Sequence, residues 1–384
     1  MKTFPRKLFD PEHELIRATA RQFCEREIAA HHAEWEKAGV VPRSAWRQAG
    51  DLGLLCMTMP PEYGGAGLDF RACAILIEEL WRIGASGPGF VLHSDIVANY
   101  LLHHGSEALK RSWLPRMARG EVIGAIAMTE PGTGSDLRSV ATRAVRDGDD
   151  YIVSGAKTFI TNGQSADFVI VVAKTNGPGE AGLSLVLVEA DRPGFRRGRK
   201  LEKIGMKAQD TSELFFDEVR VPRENLVGQE HRGLHHLMSE LPQERLIIAL
   251  QAVASTAATI EQTIEFTSNR RLFGKTTMDF QNTRFVLARA LAQLNVMQVF
   301  VDRCTELHVA GQLDATMAAT AKLTATEMQN RVIDDCLQLY GGYGYMWEYP
   351  VARAWADARA QRIYGGANEI MTELIARTLQ EGSE

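Results

Sequence analysis

The sequence lacks the cysteine and histidine patterns that form disulfide frameworks or metal sites. Its cysteine number is odd, no CxxC pair occurs, and no HExxH motif occurs. Most of the cysteines lie in apolar patterns, which is typical of reduced thiols in a protein core. We therefore expect no metal, and we expect the paired histidines at the surface or between domains. The cysteines are Cys24, Cys56, Cys73, Cys304 and Cys336.

Strong charge, long apolar runs and two common catalytic motifs are also missing. The formal net charge of −5, from 43 basic and 48 acidic residues, is too small to indicate nucleic acid or an anionic membrane as the main partner. No run of 18 apolar residues occurs, so we expect no membrane span. The absence of GxGxxG between a strand and a helix argues against a Rossmann sheet, and the absence of GxSxG argues against a serine hydrolase.

The N-terminal residues, MKTFPRKLFDPEHEL, do not contain the apolar stretch of a secretory signal. This composition favours a cytoplasmic location in a bacterium. The mitochondrial matrix is the alternative if a transit peptide has been removed.

What is present divides into three regions. Residues 1–125 have helical patterns, residues 126–232 contain short β-rich runs separated by turn clusters, and residues 233–384 are again helical and rich in alanine. The order predicts an α+β protein with an N-terminal all-α domain, a middle antiparallel β domain that is barrel-like, and a C-terminal four-helix bundle.

Local signals place the first elements. Asp10 followed by Pro11 predicts the start of a helix, in which Leu15, Thr19 and Phe23 recur at helical spacing on one face. Further helices are expected over roughly 71–83 and 106–118.

In the middle region, the run FVIVVA (168–173) is apolar throughout, which predicts a strand buried on both faces. Clusters such as DGDD, TNGQ and TNGPGEAG predict the turns between strands. In the last region, Leu287, Leu291 and Leu294 keep a helical period without breakers, which predicts long helices.

Four motifs carry a family resemblance. They are AMTEPGTGSD (127–136), RRLFGK (270–275), QLYGGYGY (338–345) and IYGGANEIM (363–371). Each alone indicates only a turn or a helix end, but in this order and spacing they resemble the acyl-CoA dehydrogenase family over essentially the whole chain. The segments KAQDTSELFF, ELPQERLIIA and GYMWEYP resemble the long-chain acyl-CoA dehydrogenase subgroup.

The resemblance implies FAD bound without a covalent link, an acyl-CoA substrate, an electron-transferring flavoprotein as electron acceptor, and a homotetramer built as a dimer of dimers. The implied reaction removes hydrogen from the α and β carbons of the acyl thioester to give the trans-2-enoyl-CoA. It requires a base, a hydride acceptor and donors that stabilise an enolate.

The position of the base departs from the commonest family pattern. Most members have a glutamate directly after the Tyr of the IY-x-G motif, where this sequence has Gly365. Long-chain and isovaleryl-type members have it on the helix after the β domain, and Glu244 in LPQERL matches that position. Pro242 suggests that Glu244 lies in the first turn of the helix, where the helix dipole and Arg245 would lower its pKa and burial would raise it. The alternative is an ordinary surface carboxylate in a first turn.

The remaining site residues follow from the resemblance. The Gly365 N–H is expected to donate to the thioester oxygen. The substrate-binding set is Ser135, Pro242, Gln243, Arg245, Gly365 and Gly366. The cofactor-binding set on the flavin side is Ile126, Met128, Thr129, Phe159, Ile160, Thr161, Ala367, Asn368 and Glu369. Ser135, which also belongs to the cofactor-binding residues, is expected near the pyrophosphate and the CoA side. The set at the pyrophosphate and adenosine across a dimer is Arg270, Phe273, Gln281, Gln338, Gly341 and Gly342.

Simpler readings compete with several of these assignments. The Gly-rich motif AMTEPGTGSD (127–136) can be a turn, and the segment FIT (159–161) can be an ordinary strand. The pairs Arg270–Arg271 and Gly341–Gly342 can be the ends of helices. Position 367 is usually Thr in the family, so Ala367 puts one hydrogen bond to FAD in doubt.

The sequence leaves three other functions open. Two are enzymes on the same scaffold, namely an acyl-CoA oxidase and a branched-chain or isoprenoid acyl-CoA dehydrogenase. The third is a catalytically silent FAD-binding protein that acts in assembly, which the missing glutamate at position 365 motivates.

Overall fold

The computed structural model describes residues 4–175 and 182–381, in which helices precede and follow one sheet. Most of the turn predicted at TNGPGEAG lies outside the described residues. The division of the chain into domains at residues 125 and 232 stays a prediction.

The N-terminal region is helical, as predicted. The first helix begins at Pro11 after the N-cap Asp10, whose side chain and His13 form a capping box. The helices expected over 71–83 and 106–118 are α4 and α7. The helices are α1 (Pro11–Phe23, continued as a π-helix over Cys24–Ala29), α2 (His32–Ala38), α3 (Arg43–Asp51), α4 (Phe70–Arg82), α5 (Phe90–Leu92, continued as a π-helix over His93–Val97), α6 (Ala98–His104) and α7 (Glu107–Ala118).

The apolar face predicted for the first helix is wrong in part. Leu15 is 72% exposed and Thr19 is also exposed, whereas Ala20 and Phe23 are buried against the core. Helical spacing gives the period of the buried face but not which of two adjacent stripes meets the rest of the protein.

The middle region forms one open sheet, so the predicted barrel is wrong. The strand order is β6-β7-β3-β2-β4-β5-β8, with β1 beside β4, and the end strands β6 and β8 do not pair with each other. The pairing is antiparallel except that β4 runs parallel to β1 and, at one residue pair, to β2. The strands are β1 (Gly124–Ala127), β2 (Arg143–Asp147), β3 (Asp150–Thr161), β4 (Phe168–Lys174), β5 (Leu183–Glu189), β6 (Phe195–Lys200), β7 (Thr211–Pro222) and β8 (Leu226–Val227).

The central strand β4 is buried on both faces, which confirms the prediction from FVIVVA. Phe168, Ile170 and Val172 pack with residues of the N-terminal helices, while Val169 and Val171 pack into a second core within the sheet region. The alternation of a strand sends these residues to opposite faces, so β4 joins the two cores.

Long helices form the C-terminal region, as predicted, but the four-helix bundle is not confirmed. Five helices follow the sheet within the described residues, and α8 and α10 pack with α4 of the N-terminal region in one shared core. A short hairpin of β9 (Arg271–Leu272) and β10 (Lys275–Thr276) separates the first two. The helices are α8 (Gly233–Asn269), α9 (Gln281–Val309), α10 (Ala315–Tyr340), α11 (Pro350–Gln361) and α12 (Asn368–Glu381).

Two of these helices, α8 and α9, are long and apolar enough to cross a membrane by length and composition alone. The most apolar part of α8 is 67% buried inside the protein, which is the behaviour of a core helix, and that of α9 is 28% buried. The absence of a membrane span therefore stays a prediction.

All five cysteines are free and buried, which confirms their assignment as core thiols. Of the paired histidines, His103 and His104 on α6 both contact Glu240 on α8, between the N-terminal and C-terminal helices. This is one of the two locations expected for them.

Candidate functional site

A cavity of about 330 Å³ lies where α4, β3, α8 and the loop before α12 meet. Its wall is largely apolar, with a few polar side chains at one part, which is typical of a pocket for a small ligand. The apolar wall includes Leu80, Trp81, Val91, Leu92, Ile96, Ile247 and Ile248, and the other lining residues include Phe159, Thr161, Lys203, Thr211, Glu244, Gln251, Tyr364 and Gly365.

Glu244 lies on the wall of this cavity and is 8% exposed, so the alternative of a surface carboxylate is wrong. The predicted first-turn position is wrong as well. Helix α8 begins at Gly233 and passes through Pro242, which places Glu244 beyond the second turn, where the helix dipole has little effect. A proline inside a helix has no N–H to donate to the carbonyl oxygen one turn earlier, but α8 continues through it because much of the helix is buried.

A tyrosine hydroxyl compensates for the burial of this carboxylate. The Tyr100 O–H donates to Glu244 Oε1 at 2.9 Å. Burial is the largest cause that raises the pKa of Glu244, to about 7, while the bond from Tyr100 lowers this pKa, the charge of Glu240 raises it and Arg245 lowers it. A carboxyl group that titrates near neutrality can act as a general base.

The turn at Gly365 and Gly366 requires glycine. Gly365 has φ +65° and Gly366 has φ +92°. A Cβ at position 365 would lie 2.2 Å from Cδ1 of Ile248, which is one helical turn after Glu244. The end of the Ile248 side chain would have to shift to make room for a Cβ there, and the positive φ at both positions favours glycine over glutamate.

The N–H of Gly365 is available to a ligand. It donates to no acceptor within residues 4–175 and 182–381, and Gly365 lies on the cavity wall together with Glu244. An unpaired backbone N–H in a pocket is a suitable donor to an oxygen on which negative charge develops.

A buried lysine on α10 stabilises the turn at Gly365 and Gly366. Lys322 on α10 donates to the carbonyl oxygen of Gly366 at 2.7 Å and to Asn368 Oδ1 at 2.8 Å. The Asn368 amide group donates in turn to Thr326 and Glu327. The side chain of Asn368 is therefore occupied within the protein and supports the turn, and Ala367 is half-buried beside it, while Glu369 is exposed.

Phe159 reaches the cavity through a distortion of its strand. It has φ +59°, at a shift in the register between β3 and β7, and it is 66% exposed. A non-glycine residue in this conformation is strained, and such strain is common at functional sites. Thr161 also lines the cavity, but the side chain of Ile160 points the other way and belongs to the core of the sheet.

A buried ion pair holds the Gly-rich loop after β1. Lys157 donates to Glu130 Oε1 at 2.9 Å and to the carbonyl oxygen of Met128 at 3.0 Å, and Glu130 also accepts from the backbone N–H groups of residues 141 and 142. Ser135 at the end of the loop is exposed. The half-buried residues Ile126, Met128 and Thr129 precede or begin the loop and do not line the cavity.

A separate groove of about 540 Å³ brings together Arg270, Gln338, Gly341 and Gly342, all of the second cofactor-binding set. Arg270 caps the end of α8, and its guanidinium group lies 5.1 Å from the ring centre of Tyr343. Two other members of that set lie outside the groove: Phe273 is 86% exposed at the tip of the hairpin, and Gln281 is exposed at the start of α9.

The predicted substrate-binding residues Pro242, Gln243 and Arg245, next to Glu244 in the sequence, do not line the cavity. The Gln243 side chain donates to the carbonyl oxygen of Asp95 at 2.6 Å and contacts His308 at 2.9 Å, so it connects α8 with the π-helix after α5 and with α9. Arg245 is buried, and its Nε has no partner in the part of the chain that the structure describes. Pro242 is half-buried.

The sequence did not reveal Tyr100 or the apolar wall. Tyr100 is 144 residues away from Glu244 along the chain and carries no motif. The only available signal was its place on a helix that also contains two histidines, and nothing in that pattern indicates which side chain meets α8.

Comparison with known proteins covers almost the whole chain. The descriptions "Acyl-CoA dehydrogenase, N-terminal domain", "Acyl-CoA dehydrogenase, middle domain" and "Acyl-CoA dehydrogenase, C-terminal domain" match residues 10–121, 125–219 and 231–380. A long-chain specific acyl-CoA dehydrogenase, mitochondrial, of Sus scrofa is 50% identical over 377 residues, which are 97% of this chain and 88% of that protein. The predicted resemblance is confirmed.

Solved structures have the same fold. An acyl-CoA dehydrogenase from Geobacillus kaustophilus matches with a TM-score of 0.96 and 45% identity, and the match covers 98% of this chain and 100% of that one. An acyl-CoA dehydrogenase complexed with FAD from Bacillus anthracis matches with a TM-score of 0.92 and 29% identity, over 99% of this chain and 68% of that one. The chain therefore belongs to the acyl-CoA dehydrogenase family and is an oxidoreductase.

Proposed function

We propose that the protein oxidises the α,β bond of an acyl-CoA, with Glu244 as the base. The observation that supports this most strongly is a buried carboxylate, with a pKa near neutrality, on the wall of an apolar cavity that also contains a free backbone N–H. These are the groups that proton abstraction beside a thioester requires.

In the proposed reaction, Glu244 takes the α-proton on its free oxygen, Oε2. The Gly365 N–H donates to the thioester oxygen and stabilises the negative charge that develops there. The apolar wall excludes water, which strengthens both interactions. FAD, when bound, would accept the hydride that leaves the β-carbon with its electron pair, and the pair left by the broken α C–H bond then forms the double bond.

The residues of the chain fit FAD in two places. At the cavity, Phe159, whose backbone is strained, and Thr161 present a surface for the flavin ring. The backbone N–H of Thr158 donates to the carbonyl oxygen of Thr129, so the loop that Lys157 and Glu130 hold lies next to them. At the groove, Arg270 offers a phosphate-binding cation. A Cβ at Gly342 would meet no atom within 4 Å, so the glycine pair leaves the groove open to a ligand.

We propose a long-chain acyl group as the substrate. The cavity wall on the side of α4 and α5 is formed by aliphatic and aromatic side chains, which favour an acyl chain over a polar one. The identity of 50% to a relative named for long-chain substrates supports the same choice.

The electron acceptor, assembly and location remain part of the proposal. Family membership supports an electron-transferring flavoprotein as acceptor and a homotetramer in which the groove at Arg270 completes the cofactor site of a neighbouring subunit. A bacterial cytoplasm, or the mitochondrial matrix after removal of a transit peptide, is the proposed location.

The test is an anaerobic titration of the FAD-loaded protein with acyl-CoA esters of four to eighteen carbons, including branched members, scored by loss of the oxidised flavin absorbance. We expect bleaching, strongest with the longer straight chains. Strongest bleaching by a branched ester would favour a branched-chain dehydrogenase, and fast reoxidation by oxygen would favour an oxidase. A yellow protein that no ester bleaches would be the silent FAD-binding protein, and the proposal would be wrong.

The role of Glu244 is tested in the same assay with Glu244→Gln. This variant keeps a similar shape and an acceptor for Tyr100, so FAD should stay bound while bleaching slows by a factor of about 100 to 10,000. The matched control is Glu261→Gln, which makes the same change at an exposed glutamate further along α8 and should leave bleaching unchanged.

A further inference from the structure

We propose that Tyr100 is a positioning residue for the base, and that its hydroxyl selects which oxygen of Glu244 takes the substrate proton. The inference rests on the proposed function, because it assigns a role to Tyr100 through Glu244. Tyr100 itself does not line the cavity and touches the carboxylate from behind.

The contact between Tyr100 and Glu244 joins two packed helices, α6 and α8. Tyr100 is 0% exposed and lies on α6, which also bonds to α8 through His103 and His104 at Glu240, one helical turn before Glu244. The two helices are therefore joined at two successive turns of α8. This arrangement keeps the phenol oxygen at a fixed place relative to the carboxylate.

The hydrogen bond from Tyr100 makes the two carboxylate oxygens of Glu244 unequal. Oε1 accepts from Tyr100, whereas Oε2 has no hydrogen-bond partner among the described residues. Burial raises the pKa of Tyr100 well above its ordinary value, and the charge of Glu244 raises it further. The phenol thus keeps its proton and always acts as the donor, so Oε1 stays occupied and Oε2 is left for the substrate.

The same bond favours the ionised form of the base. A donor to a carboxylate stabilises the charge, which opposes the effect of burial. The other charged groups that act on the pKa of Glu244 are Glu240, which two histidines contact, and Arg245, and Lys203 lies on the cavity wall. None of these donates a hydrogen bond to Glu244, so Tyr100 is the group whose loss would change the titration of the base most.

The test is Tyr100→Phe, which removes one oxygen and keeps the ring. A hydrogen bond to a charged group corresponds to about 1 to 2 pH units, so the acidic limb of the flavin-bleaching rate should move upward by that amount. The rate near neutral pH should fall by about tenfold or more and recover in alkaline solution, while KM stays close to that of the wild type.

Two comparisons separate positioning from a general structural effect. Tyr151→Phe removes the same oxygen from another buried tyrosine, in the core of the sheet, and should leave the midpoint unchanged. Tyr100→3-fluorotyrosine keeps the bond and makes the phenol a stronger donor, so the midpoint should move in the opposite direction, to lower pH. Infrared difference spectra of the carboxyl band, recorded without substrate, should show the same order of midpoints.

The outcomes distinguish this inference from the proposed function. If the wild type is bleached and Glu244→Gln is not, but Tyr100→Phe titrates like the wild type in both measurements, the role of Tyr100 is wrong and the base assignment stands. If Glu244→Gln is bleached normally, both are wrong.

Discussion

The burial of Glu244 has a consequence for stability that does not depend on catalysis. Its pKa is about 7 in the folded protein, against an ordinary value of 4.5. A carboxyl group whose folded pKa is raised contributes stability that is fully present below the unfolded pKa and is lost as pH rises through the folded pKa. The folded protein should therefore lose stability between about pH 4.5 and pH 7 because of this one group.

The size of the loss follows from the difference between the two pKa values. Each unit corresponds to about 1.4 kcal/mol, so ionisation of Glu244 should cost about 3 kcal/mol of folding free energy at alkaline pH. In Glu244→Gln the amide cannot ionise and still accepts from Tyr100. We expect this variant to match the wild type near pH 4 to 5 and to be more stable by about 3 kcal/mol near pH 8.5.

Urea unfolding of the FAD-loaded proteins, followed by tryptophan fluorescence at both pH values, measures this difference. Glu261→Gln serves as the control, because it makes the same change at an exposed position of the same helix. A difference between wild type and Glu244→Gln that does not change with pH would refute the reasoning, since Glu244 would then have no raised pKa in the folded protein.

Three further variants test the surroundings of the base. Gly365→Ala should lower the bleaching rate by a factor of about 100 or more, because its φ and the contact with Ile248 force the N–H out of place; stopped-flow absorbance measures it, and a normal rate would exclude the assigned donor. Lys322→Met should cost about 1–3 kcal/mol for each acceptor it strands, at Gly366 and Asn368, and should slow bleaching; unchanged thermal unfolding would mean that the turn does not depend on Lys322. Lys157→Met should leave Glu130 as an unpaired buried charge, which costs about 3–5 kcal/mol, and the purified protein should contain less FAD per chain; full FAD content would separate the loop from cofactor binding.

Features fixed by neighbouring residues could be predicted from the sequence. The start of α1 at Pro11 follows from an N-cap and a proline, and the burial of β4 follows from a run of apolar residues. The burial of Glu244 was also anticipated, although by resemblance and not by pattern.

Features that depend on distant contacts could not be predicted. The sheet is open because β6 and β8 end without meeting, which no strand pattern reveals. Pro242 predicts a later start for α8 than Gly233, because proline is typical of a first turn, yet a buried helix tolerates it. Tyr100 could not be found because its partner is decided by how two helices pack.

The glycine at position 365, where most members of the family have a glutamate, has a physical reason in this chain. The turn at position 365 has a backbone that only glycine adopts easily, and it lies against Ile248 on α8. A Cβ at position 365 would meet only the end of the Ile248 side chain, so the backbone conformation is the main reason for glycine there.

The most direct test of the central claim is exchange of the α-proton of a bound acyl-CoA with solvent deuterium, followed by NMR. The account predicts that the wild type incorporates deuterium at the α-carbon, with a rate that falls as pH decreases below about 7, and that Glu244→Gln incorporates almost none. Exchange by Glu244→Gln at the wild-type rate would contradict it, because another group would then be removing the proton.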